Sequence, residues 1–487
     1  MQKTRPILAW ETLLDLSSTT GGRSSLRDRL EQALRQAIDD GVLPHGAALP
    51  PSRSLAETLG VSRWVVTEAY GQLVAEGVLE ATTGSATTVA APTTGLPTGL
   101  PTDRDAARPS STSTPTPARF DLRPGLPDLR AIPRSRWTAA LRAALLDLPD
   151  QAFAGDHGAG YLAARDAVAA YLARSRRVAA GSDDIVITHG ATDGIRLLSR
   201  ELRRRGHSHL LVEDPSWPRL RDVAEETGLT AVGVPVDENG IDVTALESAA
   251  RRTGARAALL TPAHQFPLGA ALSPQRREQI VGWARAADAL LIEDDYDAEF
   301  RYDRRPVAAL QRLAPDRVAL VGSLSKSIAA GIGIGWMVLP PGFGTAAASA
   351  PSLVDQAALA HFLTQGDLER HLRRARMRFR RRRSRLLEAI DRELRALRDE
   401  LGGLAVTGIA AGMHLVLTLP PGMNAADVAH RAAEHSLALV PLHRYAFERT
   451  PPEALVLGYG NLDDALVEEA AVALARVLRA TAAATAR

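Results

Sequence analysis

The stretch APTTGLPTGLPTDRDAARPSSTSTPTPA, residues 91–118, constrains this chain more than any other. Leu96 and Leu100 are its only large apolar side chains, so it buries too little surface to repay the entropy of ordering. Its prolines favour extension and its glycines allow bends, which suits a tether and no fixed geometry. The remainder therefore folds as two separate pieces, a small domain over residues 1–90 and a large one over 119–487. A chain of 487 residues is also too long for a single core.

Composition removes several function classes. Apolar residues make up 45% and charged residues 23%, ordinary for a globular protein, and no apolar run reaches membrane-spanning length. The N-terminus shows no secretory leader pattern, so a cytoplasmic location is expected. There is no cysteine, which excludes disulfides, thiolate metal ligands and thiol nucleophiles, and no metal site is expected. The net charge of +2 does not by itself announce a nucleic-acid binder.

In the small domain, SLRDRLEQALRQAIDDGVL (25–43) places Leu26, Leu30, Leu34 and Ile38 on one helical face, and Gly41 ends the helix. A second helix carries Leu55, Ala56 and Leu59, capped by Ser52 or Ser54. Gly60 turns the chain, and Ser62 caps a third helix with Val65, Val66, Ala69, Tyr70 and Leu73. Two short strands around Gly84 suit a wing. Residues 25–90 resemble the GntR class of bacterial DNA-binding domains. The resemblance implies a winged helix-turn-helix on a double-stranded DNA operator, with Arg63 reading a guanine edge, Ser62 and Thr67 contacting phosphate or base, Arg53 contacting DNA from the preceding helix, and Gly84 in the wing. Residues 1–90 hold eight basic and ten acidic side chains, few counter-charges for phosphates.

The large domain alternates short apolar runs with helical patterns: DIVITHG, HLLVEDP, AALLTPA, ALLIEDD, VALVGSLS and GWMVLP between residues 184 and 340. Buried strands joined by crossover helices give an α/β doubly wound, mostly parallel sheet. In such sheets ligands sit at the strand C-terminal ends, where THGATDG, EDPSWP, EDDYD and GSLSK all fall. The last contains Lys326, and the only other lysine among 58 basic residues is Lys3. An amine kept where arginine is the habit points to imine chemistry, which arginine cannot perform. A phosphorylated aldehyde would need an anion cradle, supplied by Gly190, Ala191 and Thr192 opening a helix and by Ser323 and Ser325 beside the lysine. A pyridine ring would need a carboxylate at its nitrogen, for which Asp294 fits, a hydroxyl donor, for which Tyr296 fits, and a flat partner, for which Trp217 fits.

Together these stretches resemble the fold-type-I pyridoxal-phosphate enzymes of the aspartate aminotransferase superfamily. AHQFPLGAALSPQRR, IEDDYDAEFRY, GSLSK and FDLRPGLPDL resemble more closely the MocR group, in which a GntR head is fused to an aminotransferase-like body. The resemblance implies a doubly wound large subdomain, a smaller C-terminal α+β subdomain, and pyridoxal 5'-phosphate as cofactor. Lys326 would be the Schiff-base residue, and Asp294, Tyr296, Trp217, Gly190, Ala191, Thr192, Ser323 and Ser325 would hold the cofactor. It also implies a homodimer that responds to an amine, an amino acid or pyridoxal phosphate with little or no transaminase turnover; the alternative is an active aminotransferase with an appended head. Two positions depart from the superfamily: Gly333 stands where an arginine usually meets the phosphate, and Phe266 replaces an asparagine before proline. Arg444 is a candidate for a ligand carboxylate, while the arginine run from Arg370 to Arg385 reads as a solvated or interface face of a long helix.

Overall fold

A computed structural model of the chain describes residues 10, 14, 25–81, 86–90, 118–155, 157–302, 307–344 and 350–485. The chain divides into two compact units, Met1–Ser113 and Thr114–Arg487. Residues 91–117 of the expected connector, and Lys3, lie outside the described residues.

Unit one contains helices α1 (Leu26–Asp39), α2 (Ser52–Leu59) and α3 (Arg63–Ala75), then the antiparallel strands β1 (Leu79–Glu80) and β2 (Thr88–Val89). α1 starts from a capping box in which Ser25 and Asp28 satisfy each other's amides. Gly60, at φ 66°, supplies the left-handed turn between α2 and α3, and the Ser62 hydroxyl accepts from the Val65 amide to start α3. The serine cap expected for α2 is absent. Pro51 occupies that position, its ring fixing the entry angle, and Ser52 is already helical. Leu30, Leu34, Leu55, Val66 and Leu73 are fully buried where the helices meet.

Unit two opens with β3 (Phe120–Asp121), α4 (Arg134–Asp147) and α5 (Leu162–Arg176). Its main sheet comprises β4 (Ile185–Thr188), β5 (His209–Asp214), β6 (Thr230–Asp237), β7 (Gly240–Ile241), β8 (Ala257–Leu260), β9 (Leu290–Asp294), β10 (Val318–Ser323) and β11 (Gly335–Val338). Among the described residues the strand order is β4-β11-β10-β9-β8-β5-β6-β7, parallel from β10 to β6, with β11 and β7 antiparallel to their neighbours. The six runs quoted above supply six of these strands. β6 was not among them: TAVGVPVD carries a glycine and a proline, which weaken a strand signal, and it forms because β5 offers a full ladder partner.

Helices α6 (Ala191–Arg204), α7 (Pro218–Glu226), α8 (Val243–Thr253) and α9 (Pro274–Ala286) make the crossovers. Side chains alternate across the sheet with period two. Leu210, Val212, Leu290 and Ile292 pack with α6 and α7 residues such as Leu198 and Val223, whereas Leu211 and Leu291 pack with Leu246 and Ile280 of α8 and α9. The sheet is thus covered on both faces.

The rest comprises α10 (Leu353–Thr364), α11 (Asp367–Leu401), β12 (Ala405–Thr407), β13 (His414–Thr418), α12 (Ala425–Glu434), β14 (Leu437–Ala438), β15 (Val440–Pro441), β16 (Ala454–Gly458) and α13 (Val467–Thr485). Strands β12, β13, β16 and β15 form an antiparallel sheet, and β14 pairs with β3, giving the small α+β subdomain. The arginine run lies on α11 and is only partly a solvated face. Consecutive arginines spread around a helix, and several reach inward to carbonyls and carboxylates. Arg376 donates to the Glu299 carbonyl (2.8 Å) and Arg385 to the Asp464 carbonyl (2.8 Å). Arg382, 1% exposed, donates to Asp128 (2.9 Å), Asp464 (2.7 Å) and the Tyr459 carbonyl (2.9 Å).

Replacing Arg382 by methionine strands these acceptors in a dry environment and is expected to cost about 3–5 kcal/mol. A lowered denaturant midpoint for unit two would show it. Arg381→Met, whose partner Asp464 it meets at the surface, is expected to shift the same midpoint by less than about 1 kcal/mol.

Candidate functional site

The head presents Ser62, Arg63 and Thr67 in the first turns of α3 and Arg53 in the first turn of α2. Arg53 and Arg63 line one shallow cleft with Ala56, Glu57, Gly60 and Val61. Arg53 is exposed and lies 3.2 Å from Glu57 Oε1, a weak surface pair that a phosphate can replace. Ser62 spends its oxygen on the Val65 amide, which leaves its hydrogen to donate. Thr67 does the reverse, donating its hydroxyl hydrogen to the Arg63 carbonyl at 2.9 Å. Trp64 beside them is 65% exposed. Gly84 lies outside the described residues.

In unit two, nine side chains or backbone segments named from the sequence line one cavity of about 480 Å³: Lys326, Asp294, Tyr296, Trp217, Gly190, Ala191, Thr192, Ser323 and Ser325. They come from the C-terminal ends of β4, β5, β9 and β10, as the strand-end rule requires. Gly190, at φ 116°, precedes α6 with no capping side chain, so the first amides of that helix open on the cavity without a side-chain acceptor. Gly335 is held against Gly190, where a side chain would strike backbone. Lys326 sits in a single π-helical turn after β10. Its Nζ donates to the Gly125 carbonyl at 2.7 Å and lies 5.4 Å from the centre of the Trp217 ring. Burial lowers its pKa, against the pull of Asp294 and Asp297.

Asp294 is buried, and its Oδ1 has no hydrogen-bond partner. Burial, reinforced by the Asp295 charge, pushes its pKa up to about 7. Strand alternation explains the triple acid of β9. Glu293 and Asp295 face away from Asp294, into a buried site where Arg176 binds Asp295 through two bonds of 2.7 and 3.0 Å, and Glu293 accepts from the Leu310 and Gln311 amides. That network fixes the strand end from which Asp294 projects.

Two further cavity residues, Asp297 and His414, were not assigned from the sequence, whereas His264 and Gln265 behind them are candidates through the resemblance. Asp297 lines the wall, and its Oδ2 lies 2.8 Å from His264 Nδ1; the Tyr296 hydroxyl lies 3.2 Å from the same nitrogen. The ring of His414, at the start of β13, lies tilted 4.9 Å from that of His264 and bonds the Pro267 carbonyl at 3.0 Å; burial holds its pKa well below the usual imidazole value. The signals were there, a fourth acid in EDDYD and a histidine opening an apolar run, but neither names a role alone. Gln265 ties two loops, donating to the carbonyls of Pro215 (2.9 Å) and Phe266 (2.7 Å). Arg444 is exposed and does not line the cavity, whereas Arg221 does. The two neighbours sit on a 3-10 turn, Leu442–Tyr445, whose successive side chains point in different directions, and Tyr445 takes the inward place. Gly333, at φ 65°, closes a 3-10 turn and contributes no side chain.

Residues 137–474 match the family Aminotransferase class I and II, and residues 26–89 match Bacterial regulatory proteins, gntR family. The HTH-type pyridoxine biosynthesis transcriptional regulator PdxR of Corynebacterium glutamicum is 33% identical, with 91% of this chain and 93% of that protein covered. The probable rhizopine catabolism regulatory protein MocR of Rhizobium meliloti is 32% identical, covering 91% of each. An archaeal alanine:glyoxylate aminotransferase shares the fold of the body, with a TM-score of 0.65 at 24% identity over 74% of this chain and 91% of that one. Among the described residues no helix is long and apolar enough to cross a membrane.

Because the native state raises the Asp294 pKa above its unfolded value, it binds that proton more tightly. Stability is therefore lost as pH climbs from about 4 to about 7 and stays lost above it. Asp294→Asn in ligand-free protein is expected to be more stable than the parent at pH 8, by roughly 2–4 kcal/mol, with the difference vanishing near pH 4. Denaturant midpoints measured across that range check the sign.

Proposed function

The chain belongs to the MocR group of GntR-type transcription regulators, and from that premise we propose that its cavity binds pyridoxal 5'-phosphate at Lys326 and that cavity occupancy governs how the protein holds its operator. The observation that carries the reading is the convergence of nine residues, scattered from position 190 to 326, on one cavity, with a half-buried amine among them.

The residues fit the cofactor. Asp294 Oδ1, buried and without a partner, is the acceptor a protonated ring nitrogen requires. The open amides of α6 with Ser323 and Ser325 would take the phosphate, Trp217 the ring face and Tyr296 the ring hydroxyl. When bound, pyridoxal phosphate supplies an aldehyde that condenses with primary amines. The protein's own part is to keep Lys326 partly desolvated, so that more of it is uncharged, and to hold it at the mouth of the strand ends. With no side chain at Gly333, phosphate binding rests on hydroxyls and backbone amides, which favours a cofactor that exchanges.

The body pairs as a homodimer, carrying two heads to two half-sites, where Arg63 and Arg53 contact DNA. An amine, an amino acid or the cofactor itself is the effector, and its binding biases two arrangements of the dimer. Turnover is slight or absent.

The experiment selects duplexes from a random library with the full-length protein, then measures affinity for the winner with and without pyridoxal phosphate. Arg63→Ala is expected to weaken operator binding by about 5- to 100-fold. Lys326→Ala is expected to bind the operator normally but to ignore pyridoxal phosphate. Rapid exchange between amino donor and keto acid, with operator affinity indifferent to both cofactor and Lys326, would contradict the reading.

A further inference from the structure

We propose that the exposed basic stripe of α11, formed by Arg373, Arg374 and Arg380, holds the sugar-phosphate backbone of duplex DNA flanking the operator, so that the body is a second DNA-binding surface. The inference rests on the reading that the protein binds an operator, and extends it to where part of the phosphate contact comes from.

Between Arg370 and Arg385, α11 carries ten arginines and no acid. Four reach back into the body: Arg376, Arg382, Arg383 and Arg385 all donate to backbone carbonyls, and Arg382 also to Asp128 and Asp464. Three pair with acids, Arg370 with Asp367 (2.7 Å), Arg378 with Asp128 (3.4 Å) and Arg381 with Asp464 (2.9 Å). That leaves Arg373, Arg374 and Arg380, which are exposed and make no hydrogen bond or ion pair among the described residues.

The three share one face of the helix. Arg373 and Arg380 lie two turns apart, and Met377, three or four positions from each of the three, sits between them at 67% exposure. At about 1.5 Å per residue the stripe is about 10 Å long, which matches about three successive phosphates of one DNA strand at about 3.4 Å each along the duplex axis. Arg370 and Arg381 extend the same face, their side chains 44% and 64% exposed, in surface pairs weak enough for a phosphate to replace.

Guanidinium forks suit phosphate oxygens, and the unbranched thioether of Met377 suits the apolar face of a deoxyribose. The head supplies an independent reason. Residues 1–90 hold eight basic and ten acidic side chains, whereas neutralising phosphates provides a large share of the affinity for a duplex. The stripe provides counter-charges that the head lacks, and backbone contacts of this kind add affinity without reading sequence.

The test uses full-length protein and the operator selected as above, in one duplex that just spans the selected sequence and in one extended by about 20 base pairs of unrelated sequence on each side. Affinity for both is measured by fluorescence anisotropy across a salt series. The longer duplex is expected to bind tighter, with a log–log salt slope steeper by about 2 to 3 for each stripe engaged, so that its advantage shrinks about 15- to 60-fold between 50 and 200 mM salt. Arg373→Gln, Arg374→Gln and Arg380→Gln together are expected to abolish the effect of length while leaving affinity for the short duplex within about threefold. The same three positions changed to lysine are expected to keep most of it, since a point charge still holds a phosphate. A control that removes the same charge elsewhere, Arg251→Gln, Arg252→Gln and Arg395→Gln, is expected to keep all of it. Circular dichroism and sedimentation report that each variant is folded and keeps its oligomeric state. Four results overturn the inference: no effect of length in wild-type protein, an effect that survives the glutamine triple, an equal loss in the control, or a glutamine triple that changes oligomeric state, which would make the stripe a subunit interface. Failure of wild-type protein to select any duplex would sink the operator reading itself, visible before lengths are compared, and the inference with it.

Discussion

An amine and a carboxyl group line one cavity, and burial works against the charge of each. Lys326 follows β10 and Asp294 ends β9, neighbouring parallel strands in which Asp294 pairs with Val321. Their pKa values move toward each other, the lysine down and the aspartate up to about 7. Neither group is paired well enough to be merely structural: Lys326 holds one carbonyl, and one Asp294 oxygen holds nothing. Such a pair is costly to keep unless something with complementary polarity occupies the space between.

The fold meets that cost with interactions placed just behind the cavity. Arg176 and the acids of β9 lock the strand end, Gln265 ties two loops, and Asp214 pins the loop that carries Phe447. The segment that carries Gly125 is held by β3 pairing with β14 and by the Gly458 amide bonding the Leu122 carbonyl at 2.7 Å. Gly458 and Gly460 have no side chains because that segment passes directly over them. The carbonyl that holds Lys326 therefore belongs to a segment fixed at two points, the β3–β14 pair and the Gly458 amide.

Much of this was legible in the sequence for identifiable reasons. Strands buried on both faces read as continuous apolar runs, and residues that follow them at the C-terminal end are forced together whatever the details of packing. That is why Lys326, Asp294, Trp217 and Gly190 could be named without coordinates. Arg221 could not, because 57 other basic residues surround it in the count and only the turn geometry of α7 brings it under Phe447. His414 and Asp297 were hidden for a related reason: both act through His264 in the loop after β8, distant from each of them in the chain. The arginine run misled in part, since charge alone does not reveal which members of a helix face a buried carboxylate.

The central claim is that the amine at position 326 is where the cofactor aldehyde attaches. Borohydride reduction of the full-length protein with saturating pyridoxal phosphate, followed by peptide mapping, tests it most directly. The expected result is a single labelled peptide containing Lys326. Label on Lys3 or the N-terminal amine, or no label at all, would contradict the account.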